Sequence, residues 1–225
     1  MEKTRTIRTW GSFLLLLLLL FVFLIWNVLA GSVKLPVSEI LEILRGRGDG
    51  TQSRILLQIR LPRLLSALIL GGALSVSGYL LQTFFHNPIA GPFVLGISSS
   101  APLTVSVPMV ALLRRGLVST WAALIAAASV VGAMGSMGFV LAVSQKVKRM
   151  SMLVICGVMI GYICTAATDL LVTFADDSNI VNLHNWSMGS FSGMSWENVG
   201  TMAIVCGAAR GLVCFLSKPI RAYQL

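Results

Sequence analysis

Charge is scarce in this chain. Asp, Glu, Lys and Arg make up 11% of its 225 residues, where a soluble domain carries about 25%. That is too little charge to solvate the outside of a 24.1 kDa globule, so the bilayer is the remaining solvent. Histidine is rarer still: His86 and His184 stand without Cys or carboxylate at ligand spacing, which argues against a metal site. The four cysteines are spread too thinly for a disulfide scaffold. Cys156 and Cys164, like Cys206 and Cys214, lie inside apolar runs and read as small packing residues. No Gly-x-x-x-x-Gly-Lys-Ser/Thr phosphate loop occurs, so nucleotide hydrolysis is not expected on this chain. No cofactor, no catalytic residue and no enzyme activity are expected.

What is abundant is apolar: 56% of the chain is hydrophobic and mean hydropathy is +0.86. A helix needs about 20 such residues to cross the hydrocarbon. Six runs qualify: Gly11–Ala30, Leu64–Phe85, Asn87–Leu113 (where Pro92, Pro102 and Pro108 suggest an irregular entry and kinks), Gly116–Gln145, Met150–Thr168 (continuing to Phe174) and Asn198–Ser217, the last interrupted by Arg210. Backbone polar groups must be satisfied internally in lipid, and the alternation of barrel strands is absent. The expected fold is therefore all-α: a polytopic transmembrane helix bundle of about six spans in one domain, 1–225. The first run has a basic start and a Val28-Leu29-Ala30 pattern like a signal peptide. It is longer than signal cores of about 7–15 residues, so it is expected to stay as a span.

Lys and Arg number 17 against eight Asp and Glu, a net charge of +9. They sit between the apolar runs, which suits headgroup anchoring, and they do not interleave with aromatics as a nucleic-acid platform would. With the N-terminus inside, Lys3, Arg5, Arg8, Lys146, Lys148, Arg149, Lys218 and Arg221 flank the cytoplasm. Lys34, Arg45, Arg47, Arg54, Arg60, Arg63, Arg114 and Arg115 then face outward. The two sides tie, and the basic flank of the first span favours N-inside. Between the first two runs Val37, Ile40, Leu41 and Leu44 recur at helical spacing, with Glu39 and Glu42 pointing elsewhere, as in a surface helix against the membrane.

Small residues fill the runs: Gly71, Gly72, Ser75, Ser77 and Gly78 in the second, Gly132, Gly135 and Gly138 in the fourth. Gly157 and Gly161 follow in the fifth, Gly207 and Gly211 in the sixth. Such spacing lets helix backbones approach closely. Asp169 is the one acid within a span, a functional candidate by default, although Asp176 and Asp177 nearby suit an interface as well.

Two stretches carry a family resemblance. The first is Arg60-Leu61-Pro62-Arg63, Gly71-Gly72-Ala73-Leu74, Gly78-Tyr79-Leu80-Leu81-Gln82, Asn87-Pro88-Ile89-Ala90-Gly91-Pro92 and Leu95-Gly96-Ile97-Ser98. The second is Leu153-Val154-Ile155-Cys156-Gly157-Val158, Trp186-Ser187-Met188-Gly189-Ser190-Phe191 and Ser195-Trp196. In this order they closely resemble the FecCD family, permease subunits of ABC importers for iron-siderophores, haem and vitamin B12. The resemblance makes Gly72, Gly78, Gln82, Asn87, Pro88, Pro92, Gly96, Trp186 and Gly189 structural motif residues.

The resemblance further implies a bacterial cytoplasmic-membrane protein of ten spans per subunit that pairs with a second permease subunit, in a homo- or heterodimer. Two cytoplasmic ATPase subunits and an extracellular or periplasmic substrate-binding protein complete the importer. In the family's vitamin B12 member the matching arginines pair with glutamates of the binding protein, which makes Arg60 and Arg63 docking residues here. The fifth span would line the path, with Met150 and Ser151 near the inner gate and Gly157, Gly161 and Asp169 along it. Gly91 and Ser100 depart from the family pattern. The chain stops at Lys218-Pro219-Ile220-Arg221-Ala222-Tyr223-Gln224-Leu225, where the family continues into coupling helices and four more spans. An iron-siderophore permease is thus the expected function. A truncated inactive permease, or a proton-coupled secondary transporter using Asp169, are the alternatives.

Overall fold

The computed structural model describes residues 2–47, 50–113, 121–147, 150–174 and 177–215. Among them the regular elements are helices: α1 (Glu2–Leu29), α2 (Val37–Leu44), α3 (Thr51–Arg54), a π-helical turn (Ile55–Arg60), α4 (Leu61–Phe85), α5 (Ile97–Leu113), α6 (Trp121–Ser144), α7 (Met150–Thr173), α8 (Asp177–Met188) and α9 (Trp196–Phe215). Among the described residues five stretches are long and apolar enough to cross a membrane: Thr6–Leu29, Thr51–Phe85, Leu124–Ser144, Ser151–Thr173 and Trp196–Phe215. The described residues of 1–73 and 191–217 form one compact unit and those of 74–190 a second, the division falling within α4.

In the first unit α1 buries nothing along its apolar run. A helix that is hydrophobic all round and uncovered is one that lipid surrounds. Trp10 and Trp26, both exposed, bracket this run and lie about 24 Å apart at 1.5 Å per residue. That matches an aromatic belt at each headgroup level. Past the end of α1, Leu35, Ile40, Ile43 and Leu56 form a small core with Val28 and Leu61 against it.

In the second unit α5 packs against α6, α7 and α8. Phe85, Ala90, Leu95, Val140 and Leu153 are buried together at one end, Val105, Met109 and Leu183 at the other. The contact of α5 and the turn before it with α6 and α7 runs through glycine. A Cβ added to Gly157 would stand 2.9 Å from Leu95 Cα, and one on Gly132 would stand 2.7 Å from the Ser100 carbonyl. Thr104 Oγ1 lies 2.7 Å from the Ala128 carbonyl of α6, to which it can donate.

Three details go beyond the apolar runs themselves. The third apolar run has the irregular entry its prolines suggest: residues 86–96 form turns and α5 starts at Ile97. His86 adopts a left-handed φ of 48°, and Pro88 and Pro92 disfavour helix in the residues before them. The second span does not start at Leu64, because helix is continuous from Thr51 through Pro62. The polar stretch 177–188 is helical as α8, because Leu183 and Trp186 anchor it to the core. Gly116 to Trp121 and the chain end from Leu216 fall largely outside the described residues.

Gly96→Ala forces a side chain onto a φ of 72° and to within 2.7 Å of the Gly157 carbonyl. It should cost about 1–3 kcal/mol in detergent thermal unfolding. Gly72 has open space around it, so Gly72→Ala should be neutral or stabilising by up to about 1 kcal/mol. Equal losses at both positions would contradict the close contact of α5 with α7.

Candidate functional site

The densest polar chemistry among the described residues lies where α1 ends and α4 begins. Pro62 has no N–H to donate, and its ring crowds the carbonyl of Gln58, four residues back. The helix widens into a π turn just upstream, where Leu61 N–H bonds to the Leu56 carbonyl, five residues back. In that register the Leu57 carbonyl would next meet the missing N–H of Pro62. It accepts instead from the Trp196 indole, Nε1 to O 2.9 Å. Ser195 supports this arm, its hydroxyl 3.4 Å from Asn198 N at the start of α9, an N-cap arrangement.

The π turn also directs Arg60 inward. Its side chain is 8% exposed. Nη1 donates to the Val28 carbonyl at 2.6 Å and lies 3.5 Å from that of Leu29, while Nη2 donates to the Val33 carbonyl. The last carbonyls of a helix have no intrahelical donor and carry the negative end of its dipole. A planar guanidinium supplies both charge and forked donors. Gly31 makes room, since a Cβ there would lie 2.8 Å from Arg60 Cζ. In this structure the Arg60 donors are turned onto the chain's own backbone. Arg63, one turn on, is exposed.

Several motif residues are helix ends. His86 N–H bonds to the Thr83 carbonyl at 3.3 Å and Asn87 N–H to that of Gln82 at 3.2 Å, the pair that closes a Schellman cap. Asn87 Oδ1 then accepts from Ile89 N–H at 3.0 Å, turning the chain at Pro88. Gly189 N–H bonds to the Trp186 carbonyl at 3.1 Å with φ 72°, so the Trp-x-x-Gly spacing is the cap of α8. Gly96 sits just before α5, its carbonyl accepting from Ser100 N–H at 3.2 Å. Pro92 is half-buried and Gln82 exposed, and Gly72 and Gly78 meet nothing within 4 Å.

Of the residues expected to line a path, two glycines meet neighbouring backbone. Gly157 and Gly161 face the 95–99 segment, Gly161 with Gly96 Cα at 3.3 Å from a built Cβ. In this conformation they are contact points between α7 and the 95–99 segment. Ser151 is exposed at the start of α7, and the Met150 side chain lies outside the described ones. Asp169 is exposed near the end of α7, its carbonyl accepting from Thr173 Oγ1 at 2.8 Å. Among the described residues no group of three His, Cys, Asp or Glu is placed to hold a metal. An open concavity of about 490 Å³ runs along α1 beside Val22, Ile25, Trp26, Leu29 and Ala30 and is apolar.

Sequence reasoning missed the Arg60 clamp and the Trp196 donor. The available signals were a proline within continuous helix and a glycine two residues past the end of α1. Arg60→Lys keeps the charge but loses the fork, and should lower thermal stability by about 1–3 kcal/mol while exposing residues 30–36 to protease. Trp196→Phe should cost about 1 kcal/mol by leaving the Leu57 carbonyl without its donor. Unchanged unfolding in both variants would contradict the assigned contacts.

The chain matches the FecCD transport family over residues 17–225. It is 32% identical over 227 residues to the vitamin B12 import system permease protein BtuC of Klebsiella pneumoniae, covering 99% of this chain and 63% of that protein. The protein of the same name from Yersinia enterocolitica is 32% identical over 158 residues, 70% of this chain and 46% of the relative. A solved structure described as an inward-facing conformation of a metal-chelate type ABC transporter superposes with a TM-score of 0.74 at 25% identity. That match covers 93% of this chain and 63% of the other. The chain thus spans under two thirds of the length of these relatives, and it belongs to the FecCD transport family.

Proposed function

We propose that this chain is a permease subunit of an ABC importer that carries an iron-siderophore or related metal chelate, such as cobalamin, across the bacterial cytoplasmic membrane. The observation that carries this reading is the family match over residues 17–225, joined to a fold of long apolar helices. The names of the relatives favour cobalamin, that of the solved structure a metal chelate. The chain moves its cargo without covalent chemistry. Two ATPase subunits hydrolyse ATP, consistent with the absence of a phosphate loop here. A second permease subunit shares the path, and helices that meet through glycine repack between two access states.

A loaded binding protein docks on exposed cations, with Arg63 the arginine of the Arg-x-Pro-Arg stretch that remains available. Charge pairing at such a rim mainly sets encounter rate and orientation. Reconstituted with its ATPase and binding-protein partners, the full-length importer should take up radiolabelled ferric siderophore or cobalamin only when ATP is supplied. Uptake should persist when the proton gradient is collapsed. Arg63→Glu should reduce uptake about tenfold at limiting carrier concentration, with recovery at high carrier concentration. Uptake that follows the proton gradient and ignores ATP would overturn the reading.

A further inference from the structure

Beyond Arg60, the basic residues near the end of α1 remain unexplained by internal contacts. Lys34, Arg45 and Arg47 are exposed, and they flank α2. This helix ends in a Schellman motif: Gly46 N–H bonds to the Ile43 carbonyl and Arg47 N–H to that of Glu42, both at 3.0 Å, with Gly46 φ 77°. Its orientation is fixed by Ile40 and Ile43, buried against Leu35 and Leu56.

That leaves a second apolar stripe uncovered. Val37, Leu41 and Leu44 are 58%, 47% and 60% exposed. At 3.6 residues per turn they share an arc of about 60°, with Glu39 and Glu42 on the opposite side. The helix thus has three directions: one flank into the protein, one apolar stripe outward, and two carboxylates away from that stripe. Val28 of α1 packs against the same small core, two residues past Trp26, where the aromatic belt marks a headgroup level. The apolar concavity beside Val22, Ile25, Trp26, Leu29 and Ala30 lies on α1 just before Lys34.

We propose that α2 and the end of α1 form a docking site for anionic phospholipid. Val37, Leu41 and Leu44 enter the acyl boundary, the α1 concavity takes an acyl chain, and Lys34, Arg45 and Arg47 meet the phosphate. The occupant is lipid because the stripe belongs to a helix whose core also holds Val28 at the end of a membrane span, and because it is bracketed by cations while its carboxylates face away. Amphipathic helices bind interfaces through this combination of apolar area and basic charge. The site is independent of the transport reading.

The test uses the purified protein, with Cys156, Cys164, Cys206 and Cys214 replaced by alanine, in nanodiscs of phosphatidylcholine with or without phosphatidylglycerol. Spin labels at 37, 41 and 44 should be relaxed by oxygen and shielded from a water-soluble nickel chelate, and labels at 39 and 42 the reverse. Native mass spectrometry of the unsubstituted protein should retain phosphatidylglycerol over phosphatidylcholine. Lys34→Gln, Arg45→Gln and Arg47→Gln together should reduce that preference roughly tenfold or more. Equal nickel access at all five labelled positions would overturn the proposal. So would equal retention of the two lipids, or shielding of 37, 41 and 44 that arises only when a binding protein is added.

Discussion

The buried guanidinium of Arg60 against the carbonyls of Val28, Leu29 and Val33 organises the first unit. The last carbonyls of a membrane span have no donor within their own helix and must find one outside it. Arg60 supplies donors from the next long helix, so the end of α1 and the start of α4 are fixed together. The position of α2 follows, because Leu35 and Leu56 flank that junction and receive Ile40 and Ile43. The π turn that aims Arg60 is itself the consequence of Pro62. Its orphaned Leu57 carbonyl in turn brings in Trp196 and α9. One missing N–H thus accounts for three contacts.

The second unit is held by a different economy. In lipid no hydrophobic exclusion drives helices together, so close van der Waals contact and polar contacts between helices matter more. Gly96, Gly132, Gly157 and Gly161 bring α5 and the turn before it to within backbone contact of α6 and α7. Such interfaces have little side-chain interlock to break. A transport cycle that separates and rejoins helices is compatible with contacts of that kind, which is how the proposed function connects with the packing.

The apolar runs were legible because hydrocarbon thickness sets a length that few other structures need. Gly11–Ala30, Met150–Phe174 and Asn198–Ser217 each correspond to a long helix. The surface helix at 37–44 was legible from its periodicity, and Gly46 marks its end. α8 was not, because Asn, Ser and His dominate it and only Leu183 and Trp186 bind it to the core. The small-residue runs showed that helices approach closely but not which glycines do so: Gly157 faces a backbone while Gly72 faces open space. Arg60 was hidden for a related reason. An arginine in a basic cluster has the same letter whether it points to a partner or folds back onto a helix end, and the backbone register decides.

A double-mutant cycle between Gly31 and Arg60 tests the clamp most directly. Gly31→Ala should destabilise the protein by about 1 kcal/mol or more when Arg60 is present, because the added methyl displaces the guanidinium. In an Arg60→Met background the same change should cost close to nothing. Purely additive effects of the two substitutions would contradict the clamp and return Arg60 to the surface.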